Sequence, residues 1–509
     1  MTSNFAFHPT VNEVVPFSAQ YSFPNQATRQ SKRTVKLTPK NNAAIYSSGS
    51  VIRFEFPASG YLNPNTTYLA FNANVKINTG TFGAGATLTG GFEFQQGIQS
   101  IFRRLRILYG SMVIEDIQDY NILQRLFVES VLPSGSNLGT AGIYQGIGPT
   151  LRNVNTTSNV IPSPYQNNYT RYNYHSSGAE GSPLDVATAV RRYAIPINSG
   201  LFQQHNLIPL KFMASQLSIE LEIADAIDCA ILVLGTGAGA SVPTSLTVQV
   251  GLPELVSELL EFDSDFDQAI FKVMKTGLPI YFQSWHVTTQ NVTPNLTVQL
   301  NIQESARSVR YALGVLLDDN NRSLRRDAHH FIAGLFTVQA DAIATDNGYS
   351  LITQQTTMES FQWRLGGTYY PSQPVAVVGG VQQNINAVDA NYADPPVEAY
   401  AELMKVFGNL FGDDGTFFGD QRFGFFLEPR KGGATPGNTN YSTSFVMAGN
   451  FMSDRGDVIS GINAEEQNDL QLIMKFVGTS SGTTKTAKII TCFDNLIILG
   501  QSNNMVHIN

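Results

Sequence analysis

Val51-Ile52-Arg53-Phe54-Glu55-Phe56 alternates apolar and polar side chains, and Leu69, Phe71, Ala73, Val75 and Ile77 take every second position. A period of two puts one face of an extended strand on a core and the other toward solvent. Pro57, Gly60, Asn63, Pro64 and Asn65 lie between the two runs and supply turn residues. Arg103–Tyr109, Leu217–Ile223 and Leu246–Val250 are further strand candidates. After Asp263, Asp265 and Asp267 the theme restarts, with Leu296, Val298, Leu300 and Ile302 alternating. Val309–Leu317, Phe361–Leu365, Phe423–Leu427, Ser444–Met447, Leu470–Phe476 and Lys488–Leu499 follow. Many short strands with Gly and Pro between them predict an all-β sandwich or barrel. Stretches rich in Asn, Gly, Ser and Thr at 78–91, 132–182 and 235–245 read as loops, and 132–182 is long enough for a functional or interface loop. Residues 1–44 have no clear period and are expected to form an N-terminal arm.

Helical pattern is scarce, and its placement is informative. Ile117, Tyr120, Leu123 and Phe127 share one helical face, as do Val397, Tyr400, Met404 and Phe407. The second segment is punctuated by Asp394 as N-cap, Pro395 in the first turn and Gly408 after the end. Both contain Y-x-x-L-x-[RK]-[LV]-F. Tyr120, Leu123, Arg125, Leu126 and Phe127 make the first copy; Tyr400, Leu403, Lys405, Val406 and Phe407 make the second, 400 − 120 = 280 residues on. Each follows a strand-like segment with Arg and Gly, Arg106–Gly110 and Arg364–Gly367, and each half closes with two further strands. This ordered recurrence predicts two copies of one β-sandwich, each with an inserted helix.

Composition narrows the class. Charged residues are 14%, hydrophobic residues 42% and aromatics 11%, which is the reverse of a disordered chain. Asn, Gln, Thr and Ser fill most polar positions, which suits a surface packed against neighbours. The net charge of -8 argues against a general nucleic-acid coat, because phosphate binding needs a broad basic surface. Arg29, Lys32, Arg33 and Lys36 are a local exception, read as a solvated or subunit-bridging arm, with genome contact as the other reading. Cys229 and Cys492 support neither a multi-bridge framework nor a four-cysteine zinc site and are expected to be small buried residues. The opening stretch, MTSNFAFHPTVNEVVPF, has no basic region followed by an apolar run, so no secretory signal is visible. No run approaches the roughly 18 apolar residues of a membrane span. Triplets N-x-[ST] at Asn65, Asn155, Asn168, Asn291, Asn295, Asn321 and Asn440 then read as a by-product of composition, and assembly is expected in a reducing compartment.

Catalytic constellations are thin, and no catalytic, cofactor-binding or metal-ligating residue is nominated. His8, His175, His205, His286, His329, His330 and His507 make no H-x-x-x-H spacing. His329-His330 would point to opposite faces of a strand and reads as a surface loop or subunit contact. Gly235–Gly239 and Gly379-Gly380 lack the lysine and helix start of a phosphate loop, and no G-x-S-x-G elbow occurs. Glu254, Glu258, Glu261, Asp263, Asp265 and Asp267 form the densest acidic run. Counted from Asp263, positions six and twelve are Gln268 and Met274, so a calcium loop of the EF-hand type fails. The run reads as a solvated connector between the halves, with a divalent ion at an intersubunit seam as the minor alternative. Trp285 and Trp363 read as core or interface rather than a sugar platform.

These residues carry a family resemblance over about 33–502. Its pieces are Val51–Pro57 through Tyr61–Pro64, Arg106–Ser111 with Glu115-Asp116-Ile117 and Tyr120-Asn121, Phe361–Gly367 with Tyr369–Pro374, and Ser460–Asn463. The chain resembles the double jelly-roll major capsid proteins of polinton-like viruses, adintoviruses and virophages, and more distantly those of the nucleocytoplasmic large DNA viruses. The resemblance implies an all-β fold of two tandem eight-stranded jelly rolls: an arm at 1–44, a first roll at 45–264, and a second roll with a C-terminal arm at 265–509. It further implies a homotrimeric pseudo-hexagonal capsomer, a virion location after assembly inside the host cell, and penton and minor or cement proteins as partners. It implies no enzyme activity, no cofactor, no specific nucleic-acid site and no membrane span. A glycan-processing enzyme with paired sandwiches would need a carboxylate pair on an aromatic cleft, and none is nominated. An RNA-virus capsid protein, usually one roll per module, fits the internal repeat less well.

Overall fold

The computed structural model describes residues 30–79, 91–94, 97–131, 174–176, 191–233, 245–293, 296–317, 358–377, 397–410, 446–452, 461–465, 470–476, 485–500 and 505–508. The first half contains β1 (Gln30–Leu37), β2 (Ile45–Ser47), β3 (Val51–Glu55), β4 (Tyr61–Thr79), β5 (Gly91–Phe94), β6 (Phe102–Tyr109), β7 (Met112–Ile117), α1 (Tyr120–Val131), β8 (Tyr174–Ser176), β9 (Arg191–Pro196), β10 (Leu217–Ile223), β11 (Ala230–Val233) and β12 (Ser245–Phe262). After α2 (Ser264–Thr276) come β13 (Leu278–Val292), β14 (Thr297–Ile302), β15 (Val309–Leu317), β16 (Met358–Leu365), β17 (Thr368–Ala376), α3 (Val397–Leu410), β18 (Met447–Asn450), β19 (Leu470–Phe476), β20 (Lys485–Leu499) and β21 (Met505–Ile508).

Alternation in sequence becomes alternation in burial. Ile52, Phe54 and Phe56 enter the core from β3 while Arg53 and Glu55 stay at the surface, and Leu69, Phe71, Ala73 and Val75 do the same on β4. All pairings are antiparallel. β1 and β2 lie along one side of β12, β4 lies along the other, and β9 follows β4; the facing sheet runs β3-β10-β6-β7. In the second half the sheets run β13-β20-β15-β18 and β14-β19-β16-β17. With β1 and β2 counted as one broken strand, and the small sheet β11-β5-β8 and the added β21 beside β20 set aside, both halves read 1-8-3-6 and 2-7-4-5 in chain order. That order is two interleaved Greek keys, a jelly roll, made twice. In both copies the long helix falls after the fifth strand and before the sixth.

One core cluster, centred on Trp363, Leu470, Leu472 and Met474, lies inside the second roll. A second cluster fills the first roll and continues to Tyr311, Leu313 and Val315 of β15 and to Leu403 and Val406 of α3. β15 is therefore buried on both faces: Tyr311, Leu313 and Val315 face out of the sandwich, while Val309, before the irregularity at 309–311, and Ala312 and Leu316 face in. A strand covered on both sides needs a continuous apolar run, and Tyr311–Leu317 supplies one.

Several expectations need correction. Within the segment expected as an arm to residue 44, residues 30–37 are strand: Val35 and Leu37 pack on the core, and β1 pairs with β12 over its whole length. Residues 1–29 lie outside the described residues. The acidic run is no connector at 254–262, because β12 continues to Phe262. Ile117 ends β7 rather than joining the helical face, and α3 passes through Gly408 to Leu410. Among the described side chains of α3, Ala399, Leu403 and Val406 are buried. Asn63, Pro64 and Asn65 lie within β4, at an irregularity where the register jumps between Val256↔Tyr68 and Glu258↔Asn63. β13 and β17 were not expected as strands. Phe423–Leu427, Asp394 and Pro395 lie outside the described residues, as does most of 132–182.

Candidate functional site: the seam between the two rolls

The densest convergence of buried polar groups joins the two rolls. Glu115 on β7 is only 2% exposed. Its carboxylate accepts from Gly200 N at 3.0 Å, Leu201 N at 3.4 Å and Ser284 Oγ of β13 at 3.2 Å. Ser199, whose Oγ accepts from Phe202 N at 3.2 Å, starts the single helical turn that presents those two amides. Burial pushes the Glu115 carboxyl up to about 7, and the backbone and hydroxyl donors pull the other way. An added Cβ on Gly200 would lie 1.5 Å from the carbonyl oxygen of Gln283, so only glycine allows β13 this close.

Other contacts extend the seam. Phe127 of α1 meets Trp285 edge-on with ring centroids 5.0 Å apart. Lys488 Nζ donates to Asp119 Oδ2 at 2.7 Å and to Thr289 Oγ1 at 2.8 Å. Tyr120 OH accepts from Asn198 N at 3.1 Å, and the Asn198 amide reaches Gln99 and Gln124. Two residues beyond Ser284 on β13, His286 faces the Glu304 carboxylate, which also accepts from Thr491 Oγ1. That carboxylate raises His286 above the usual imidazole range, against its burial.

The residues singled out in the sequence fall into structural roles. Glu258, Glu261 and Glu254 pair with Lys32, Arg33 and Arg192. Two members of the N-terminal basic cluster thus meet the acidic run strand against strand; Arg29 lies outside the described residues. Asp263 caps α2, accepting from Phe266 N, and Asp267 accepts from Tyr61 OH at 2.7 Å and pairs with Lys211. Cys229 and Cys492 are fully buried, and burial pushes both thiols up. Trp285 is in the seam and Trp363 in the second core. His205 contacts Asn65. His8, His329, His330, Gly235–Gly239 and Gly379-Gly380 lie outside the described residues. Among the described residues no cluster of three or more His, Cys, Asp or Glu could hold a metal, and no helix is long and apolar enough to cross a membrane. Sequence reasoning missed the role of Glu115: Glu115-Asp116-Ile117 entered only as part of the resemblance, with no strand expected over Met112–Ile117.

Compared by sequence, the chain matches no family model and no curated protein. Compared by structure, it is similar to a chain of the Sputnik virophage at TM-score 0.54 and 11% identity, covering 99% of this chain and 94% of that one. The Faustovirus major capsid protein gives TM-score 0.53 at 11% identity, with 95% and 92% covered. A chain of the PBCV-1 virus capsid gives 0.52 at 11%, with 96% and 98% covered. This chain has the double jelly-roll fold. The coverage is nearly complete in both directions, so the likeness in fold takes in both rolls. In this double jelly roll each oxygen of the buried Glu115 carboxylate has a protein donor.

Proposed function

We propose that this chain is a major capsid protein. It builds the icosahedral shell of a double-stranded DNA virus from homotrimeric, pseudo-hexagonal capsomers, and it works by assembly, not turnover. The carrying observation is the repeated strand order, 1-8-3-6 and 2-7-4-5, in both halves of one chain. Three such chains present six similar units in a ring, and sixfold units tile a flat facet. The similar structures, a Faustovirus major capsid protein and a PBCV-1 capsid, point the same way. A division into an arm at 1–44 and rolls at 45–264 and 265–509 is part of this reading, with the first roll's opening strand reaching back to Gln30. Penton and minor capsid proteins are the implied partners, and the virion is the implied location. The Glu115 carboxylate supports a non-enzymatic role, since its donors are backbone amides and a serine inside a closed seam.

Purified full-length protein should run as a trimer by light scattering and show hexagonal outlines in negative stain. A monomer that persists at high protein concentration would overturn the reading.

A further inference from the structure

The seam uses one opening strand and one hairpin strand, and the duplication supplies a second set of each. Within the chain, the middle of β13 (Phe282–Trp285) lies against β7 and the turn at Gly200. The first roll's opening strand is β1 plus β2. Each opening strand lies antiparallel to the last strand of its roll, β1 and β2 along β12 and β13 along β20. The stretch 38–45, between β1 and the body of β2, is then the counterpart of the middle of β13. Apart from Pro39, every residue in it is exposed, and Ile45 is 45% exposed.

The receiving strand is duplicated as well. β6–β7 and β16–β17 are both tight hairpins, turning at Gly110 and Gly366 with φ of 60° and 59°. Counted from these glycines, Glu115 and Pro371 are each the fifth residue on. Their surroundings differ sharply. On β7, Ile114, Glu115 and Ile117 are buried, whereas on β17 Thr368, Tyr369, Ser372, Gln373 and Pro374 are exposed, Tyr369 by 44%. Among the described residues, β7 and β17 each hydrogen-bond to one strand only.

We infer that the stretch 38–45 of one chain seats on β17 of a second copy, repeating between chains the contact that β13 makes with β7 inside one. The two bare surfaces are on different rolls and are not alike, so the contact is head-to-tail, and such contacts close into a ring when the rotation allows. A ring of six rolls joined this way holds three chains, the number the capsomer reading requires. The contact changes chemistry on the way. The buried carboxylate gives way to the uncharged Thr-Tyr-Tyr-Pro-Ser-Gln-Pro, and the seryl hydroxyl to a stretch carrying Ile45. The inference rests on the capsomer reading and locates its interface.

The test is the solution mass of full-length protein carrying Ile45→Arg or Tyr369→Arg. Both side chains are exposed in the single chain, so circular dichroism and melting should match the parent. Each variant is expected to weaken trimer association by at least about tenfold, as a charge placed in an interface core does. A double variant, Ile45→Cys with Tyr369→Cys, should give covalent dimers and trimers with a short bis-maleimide, because the two native thiols are buried. Should Tyr369→Arg fail to fold, Gln373→Arg replaces it. Trimers of parental affinity in these variants would overturn the inference and leave the capsomer reading standing. A monomeric parent would overturn both.

Discussion

Glu115 is held between two rolls by donors from both, and its protonation is tied to folding. Its carboxyl rises from 4.5 to about 7, chiefly through burial. A raised carboxyl means that folding takes up a proton between those values. The stabilising contribution is full below about 4.5 and is lost as pH rises through about 7. Melting temperature should therefore fall between pH 5 and 8, and Glu115→Gln should flatten the part due to this group in a calorimetric series. His286 is also raised, by Glu304, and acts in the same sense, so the Gln variant leaves a residual slope. Gly200 makes a sharper demand. Its Cβ would meet backbone atoms of Gln283, which cannot rotate away as a side chain can. Gly200→Ala should cost on the order of 1–3 kcal/mol or more in chemical denaturation. Neither role shows in the sequence, where Glu115 and Gly200 are 85 positions apart and nothing along the chain marks them as neighbours of Gln283 and Ser284.

At the scale of elements, α2 follows β12 and precedes the second roll. Asp263 caps it, and Asp265 and Asp267 favour the positive end of the helix dipole in the first turn. Asp263→Ala should cost about 1 kcal/mol, read as a lowered urea midpoint. The D-x-D-x-D spacing that invites a calcium reading is thus an N-terminal capping pattern with Tyr61 and Lys211 as partners of its last member. Strands with one solvated face were legible: β3, β4, β10, β14 and β19 all alternate in sequence as they do in burial. β13 and β17 were not. β13 gives up its polar face to the seam, and β17 carries Pro371 and Pro374, which read as turn residues although an edge strand tolerates them. β1 was missed for a related reason: its exposed residues include Lys32, Arg33 and Lys36, and the first two pair with an acidic strand more than 200 positions away.

At the scale of the molecule, the chain is built to be partnered. One opening strand is covered within the chain and its counterpart is bare, and the same holds for the hairpin strands. Alternation, turn residues and the recurrence at 280 positions determined an all-β chain, its halves and a helix in each, because these depend on neighbours along the chain. Tertiary structure alone decided which strand pairs with which, that β12 runs on through the acidic segment, and that a glutamate, a glycine and a serine from three distant places form the seam. Pairing and burial depend on what another segment brings to the same place. A side chain's neighbours across a sheet leave no period in its own sequence.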